Sequence, residues 1–327
     1  MEQTLSRQKS QFISKPLFKQ AFKSNWLLWV ILTVGSSAIF FVINIVVLSK
    51  NIFTNIEMEK VSVYVADEGL SWLQILGLLE QMGFNLSRIQ VMSRIDLNSV
   101  VSDLVYRIAG VLLPMIYVMI TANSLIASQV SSGSMAYVLS TPTSRKTVVR
   151  TNYMYLLTAL FAMYLVITGS ALISEAIAGL IRIQANGGSA NMLPLRTTLY
   201  CVASFAALFA LAGICFGASA FFNKSNQSIA VGGGVCILSF LGCILGLFGN
   251  KVFVSVGIGV EAMRVFDYVS VFTLIDTESI ASFAKAVAGM DADISFKWII
   301  EIAILFVLGG VGAFVGSFRF LRKDLPL

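Results

Sequence analysis

Leu199–Phe222 reads LYCVASFAALFALAGICFGASAFF, a run with no Asp, Glu, Lys or Arg. A hydrocarbon layer about 30 Å thick needs roughly 20 such residues in a helix to cross it. Five other runs meet the same test: Trp26–Leu48, Leu104–Ala127, Tyr153–Ile173, Ile229–Phe248 and Trp298–Val315. The chain is 57% hydrophobic and only 12% charged, against about 25% charged in soluble domains. Lipid must therefore be part of its solvent. The expected fold is all-α integral membrane, six transmembrane helices in a single domain over 1–327. The first run is too long for a signal-peptide core and has no clean cleavage site, so it is expected to be a retained span.

Lys and Arg set the orientation. They fill the N-terminal arm (Arg7, Lys9, Lys15, Lys19, Lys23), the second-to-third loop at 128–150 (Arg145, Lys146, Arg150), the fourth-to-fifth loop (Lys224) and the tail (Arg319, Arg322, Lys323). Acids gather in the long loops at 49–103 and 249–297, among them Glu57, Asp67, Glu68, Asp276 and Asp291. Because cations near spans resist translocation, both termini are expected in the cytoplasm. The net charge of +6 then belongs to a basic membrane face, and nucleic acid is not an expected partner.

Segments outside the spans also carry helical patterns. Over 12–24, Lys15, Lys19 and Lys23 share one helical face while Leu17, Phe18, Ala21 and Phe22 cover another. Pro16 suits a helix start, and an interfacial helix in the inner headgroup layer is expected. Leu70, Trp72, Leu73, Leu76 and Leu79 predict a helix in the first external loop. Thr277, read as an N-cap, with Ile280, Phe283 and Val287, predicts another in the last. Both would cap the outer ends of the bundle. Gly213 with Gly217, Gly242 with Gly246 and Gly312 with Gly316 stand four apart inside spans. That spacing lets helix backbones approach closely, and packing within one subunit is the expected use.

Catalytic chemistry is missing from the sequence. There is no His. Cys201, Cys215, Cys236 and Cys243 fall inside apolar runs without CxxC spacing and read as small packing residues. The string ending at Lys224–Ser225 has Ala218 and Asn223 where a phosphate loop needs Gly. Leu274–Ile275–Asp276 resembles a strand ending in a magnesium-binding Asp, but with no phosphate loop it reads as chance. The chain is expected to hold no metal or cofactor and to hydrolyse nothing. Charges inside spans are few. Arg107, Glu175 and Glu301 lie near outer ends, where they either pair at similar depth or snorkel to the surface. No carboxylate or base sits at the midplane, which tells against a proton- or sodium-coupled carrier. The deep polar residues are mild (Ser36, Ser37, Asn44, Thr168, Ser204) and suit an amphiphilic or hydrophobic cargo.

Ser131–Arg150, SSGSMAYVLSTPTSRKTVVR, is a basic island between two apolar runs. Helix formers followed by Pro142, a helix stop, predict a short docking helix. Its core, Gly133 to Arg145, is similar to the loop G-[ST]-x-x-x-L-L-S-x-P-x-x-R, with Val138 in place of the first Leu. The basic helix before the first span, the segment Tyr268–Asp276 and the tail Phe318–Leu327, close to F-x-x-[KR]-D-[LI], accompany it. With these features the chain resembles the permease subunit of an ABC-2 type ATP-binding-cassette exporter. The resemblance implies a coupling helix seated in a cytoplasmic ATPase. Gly133 would belong to it, Met135, Tyr137, Val138 and Leu139 would supply apolar contacts, Pro142 would end it and Arg145 would anchor its return. It implies two ATPase subunits carrying ATP and Mg2+, and a second permease copy or a paralogue. It further implies export of a peptide, lipid or drug across a bacterial cell membrane. Many relatives are acidic before the Gly, whereas this chain has Gln129, Ser131 and Ser132, so the contact is expected to be mainly apolar. An ion-gradient-driven transporter and a membrane scaffold are the alternatives for the chain, and a plain connector for the loop.

Overall fold

In lipid, backbone N–H and C=O groups find partners only within a helix or a closed barrel, and every long apolar run here is helical. The computed structural model describes residues 13–50, 97–141, 143–186, 194–249, 260–268, 270–289 and 294–323. In chain order the helices are α1 (Lys15–Lys50), α2 (Leu97–Leu125), α3 (Ala127–Ser131), α4 (Ser134–Ser140), α5 (Arg145–Asn186), α6 (Pro194–Phe221), α7 (Ser225–Phe248), α8 (Thr277–Val287) and α9 (Lys297–Arg322). Two 3-10 helices, Glu261–Tyr268 and Val271–Leu274, precede α8. Among the described residues, 6 helices are long and apolar enough to cross a membrane: α1, α2 with α3, α5, α6, α7 and α9. These are the six expected runs in their expected order. The helix predicted around Leu70–Leu79, Pro142 and the tail beyond Lys323 lie outside the described residues.

The bundle is built around α6. Of its apolar window 72% is buried, against 22% for α1 and 28% for α9. Glycines explain the closeness of α6 to α9. A Cβ on Gly217 would stand 2.5 Å from the Gly312 carbonyl oxygen, and one on Gly213 would overlap the Gly309 carbonyl. Gly316 in turn faces the Gly217 backbone. The glycine spacing therefore serves packing inside one subunit.

α2 contains Pro114, which has no N–H to give to the carbonyl four residues earlier, that of Gly110. The Tyr164 hydroxyl on α5 donates to the Gly110 oxygen instead, at 2.9 Å. Gly110 also makes room for the Phe40 ring, whose tip lies 2.7 Å from where a Cβ would stand. Three spans therefore meet where one backbone bond is missing. The four cysteines are free and buried, as packing residues would be.

The basic segment at 12–24 leads directly into the first span. From Lys15 it is continuous with the first span, and α1 is 36 residues long. Asn25 does not break it, because its Nδ2 donates to the Ala21 carbonyl at 3.0 Å. Nor is its apolar side free. Phe18 meets Tyr155 edge-on with centroids 5.5 Å apart, Ala21 is buried, and Ser14 N–H donates to Thr151 Oγ1 at 3.0 Å. Lys15, Lys19, Phe22 and Lys23 are exposed. Further along, Trp29 Nε1 donates to the Ala159 carbonyl at 2.8 Å, so α1 and α5 run side by side in the same direction.

Two stability predictions follow from these contacts. Tyr164→Phe leaves the Gly110 carbonyl without a donor and costs about 1 kcal/mol; Pro114→Ala restores the helical N–H and recovers that loss, read as the coupling in a double-mutant cycle of thermal unfolding. Gly217→Val forces the α6–α9 backbones apart and costs about 1–3 kcal/mol or more, whereas Gly310→Ala, at an open position, leaves the melting temperature unchanged.

Candidate functional site

The polar island between the second and third spans folds as a compact, self-bonded loop. α3 ends at Gly133, which adopts φ 75° and ψ −5°. Only glycine takes this left-handed conformation without strain, and it is the usual residue just past a helix end. Its N–H donates to the Val130 carbonyl at 3.2 Å, and its own carbonyl accepts Ala136 N–H at 3.1 Å. The turn thus closes one helix and opens the next. Ser134 Oγ donates back to the Gln129 carbonyl at 3.2 Å. At the other end of α4, Ser140 Oγ donates to the Tyr137 carbonyl at 2.8 Å. Thr143 Oγ1 donates to the Val138 carbonyl at 3.1 Å. Thr141 is extended at φ −76° and ψ 160°, as the residue before a proline must be. Ser144 then caps α5 by accepting Thr147 N–H at 3.2 Å.

The loop is also fixed to the bundle. Ala127 N–H donates to Ser219 Oγ on α6 at 3.0 Å, and Asn152 Nδ2 on α5 donates to the Leu125 carbonyl at 2.9 Å. Arg145 Nη1 donates to the Lys323 carbonyl, just past α9, at 2.9 Å. Sequence reasoning named Arg145 but had no signal for a partner 178 positions away, nor for Ser219 and Asn152.

α4 divides its apolar residues between two sides. Met135 is 2% exposed and belongs to the core. Val138 and Leu139 are partly buried against that core. Tyr137 is 80% exposed. Of the apolar residues named for an outward contact, Met135 faces the bundle, and Tyr137 alone stands fully clear of it.

At the opposite end of the bundle lie the acidic side chains. Glu175 is buried and accepts from Thr197 Oγ1 at 2.7 Å. Glu301 is buried and pairs with Lys297 at 3.2 Å, and Lys297 also reaches Asp276 at 3.4 Å. Arg107 is on α2, but its side chain lies outside the described residues. α8 is capped by Asp276, one residue before the expected Thr277: Asp276 Oδ1 accepts Ser279 N–H at 3.0 Å and Oδ2 accepts Ser279 Oγ at 2.7 Å. Thr277 uses its carbonyl instead, accepting Tyr200 OH from α6 at 3.1 Å. Leu274 ends a 3-10 helix, so no strand leads into Asp276. Burial raises the Asp276 carboxyl, but the Ser279 bonds and the Lys297 ammonium outweigh it and hold it below its ordinary value.

The family model described as ABC-2 family transporter protein matches residues 18–325. The chain belongs to that family and is a multi-pass membrane protein. Members of the family are the membrane subunits of transporters and associate with an ABC ATPase. No curated protein and no solved structure matches the chain significantly.

The lowered carboxyl makes the α8 cap acid-sensitive. Its contribution is complete above the ordinary Asp range, about pH 3.9, and is lost as pH falls through the depressed folded-state value. Asp276→Asn should flatten the acid limb of the thermal-unfolding midpoint, and Asp276→Ala should cost about 1 kcal/mol at neutral pH.

Proposed function

We propose that this chain is the permease subunit of an ABC-2 exporter, with its basic end in the cytoplasm. Energy comes from a separate ATPase whose surface receives α4. The observation that carries this reading is the exposure of Tyr137, at 80%, on a short helix whose other apolar residues are held inward. A large aromatic ring left in water on a braced helix is what a docking contact requires. Gly133 sets the turn that presents it. Arg145 carries the motion of the loop to α9 through the Lys323 carbonyl, and α5, whose first turn bears Arg145, carries it into the bundle. Lys15, Lys19, Phe22 and Lys23 meet the headgroup layer, while Phe18 seats that segment on α5. Closure of two ATPases around ATP and Mg2+ tilts the spans of two permeases. The loops at 49–103 and 249–297 lie outside the membrane, with Glu175 and Glu301 toward that end. The described spans carry no Asp, Glu, Lys or Arg near their middle, which favours a hydrophobic or amphiphilic substrate over an ion.

Tyr137→Ala should weaken ATPase copurification by about tenfold, the size of a typical aromatic anchor. Arg145→Glu should leave assembly intact while ATP hydrolysis continues without export in proteoliposomes. Normal assembly and transport in both variants would sink the assignment of the loop.

A further inference from the structure

Cations and phenyl rings converge where α6 and α9 end together. The Phe221 carbonyl accepts from Lys323 Nζ at 2.6 Å, and the Arg319 guanidinium lies over the Phe221 ring, 5.4 Å from its centroid. One turn on, Arg322 covers the Phe318 ring at 4.1 Å. Arg319 and Arg322 make no hydrogen bond or ion pair among the described residues, so their N–H donors remain available. Burial and the neighbouring Arg319 charge lower the Lys323 ammonium below its ordinary value. The sequence offers little to balance this charge. Among the described residues at this end of the bundle, Arg145, Lys146, Lys224, Arg319, Arg322 and Lys323 gather with no Asp or Glu.

The rings give the cluster a direction. Val307, Val311, Phe314 and Phe318 form one exposed stripe on α9, and Phe314 stacks on Phe318 with centroids 6.3 Å apart. The stripe rises about 16 Å along the helix, close to the roughly 15 Å of one leaflet's hydrocarbon. Arg322 stands at its head. An acyl chain fits the stripe, and a phosphate fits two guanidinia, which can each offer paired N–H donors. Free phosphate would use only the head of this site, and an acidic protein surface would leave the rings uncovered.

We propose that the joined ends of α6 and α9 bind an anionic phospholipid from the adjoining leaflet, with its phosphate at Arg319 and Arg322 and its chain along Phe318 and Phe314. A zwitterionic lipid brings its own cation and gains less. Bound anion relieves the repulsion around Lys323, whose carbonyl holds Arg145, so occupancy firms the attachment of the α4 loop. That last consequence rests on the coupling role of the loop; the lipid site does not.

The test uses the purified full chain alone, without ATPase. Native mass spectrometry after exchange into equimolar phosphatidylglycerol and phosphatidylcholine should show preferential retention of phosphatidylglycerol. Arg319→Gln with Arg322→Gln should lower that retention by about fivefold for each cation removed. The charge-matched pair Arg264→Gln with Lys285→Gln, at the opposite end of the bundle, should keep it. If the double Gln variant does not fold, Arg322→Gln alone, at an exposed position, reads the same effect. Equal retention of both lipids, or an equal loss in the Arg264 and Lys285 pair, overturns the site. So does inorganic phosphate raising the melting temperature as much as phosphatidylglycerol vesicles do. Loss of lipid preference together with unchanged coupling in separate proteoliposomes that contain the ATPase would overturn only the link to the loop.

Discussion

The structure depends on the absence of side chains between α6 and α9. In lipid, two apolar helices gain nothing by hiding from solvent, so they hold together by close van der Waals contact. Gly213 and Gly217 on one helix and Gly309, Gly312 and Gly316 on the other supply that contact backbone to backbone. The two helices run parallel from this seam to its basic end. There Phe221 meets Arg319 and Lys323, and the Lys323 carbonyl comes within reach of Arg145. The brace on the α4 loop is thus set by glycines that lie within the spans.

A second constraint acts at the same end. Where α2 stops, its last groups need partners, and the neighbouring helices provide them as polar bonds. Asn152 serves the Leu125 carbonyl, Asn123 Nδ2 donates to Ser225 Oγ at 2.8 Å, and Ser124 Oγ donates to Asn25 Oδ1 at 3.1 Å. A cavity of about 50 Å³ lies among Gln20, Asn25, Ser124, Gln129 and Asn152, polar and large enough for water. Each such bond contributes about 1 kcal/mol or less. Together they fix one arrangement of α1, α2, α5 and α7, which uniform apolar packing would leave less defined.

The sequence reveals the spans because lipid imposes a length and a composition on each one, and local counting detects both. Gly133 entered the sequence reading only through the loop motif, and its left-handed φ of 75° shows it as the turn between α3 and α4. The two faces of α4 were not. Met135 and Tyr137 are both apolar enough to point either way, and only the position of the core decides. Arg145 could be singled out as a lone cation in a motif, but its carbonyl partner depends on how α6 and α9 pack. The same holds for Tyr164, whose hydroxyl answers a gap opened by Pro114 on another helix. Asn25 sits inside α1 without ending it, because its side chain bonds back to the Ala21 carbonyl.

α5 is 42 residues long, about 63 Å at the rise of an α-helix. That exceeds the roughly 40–45 Å of a whole bilayer with its headgroups. Its first turn holds Arg145, and Glu175 lies toward its far end. A helix that outreaches the membrane joins its two surfaces by one continuous hydrogen-bonded rod, so the end bearing Arg145 and the far end would tilt together.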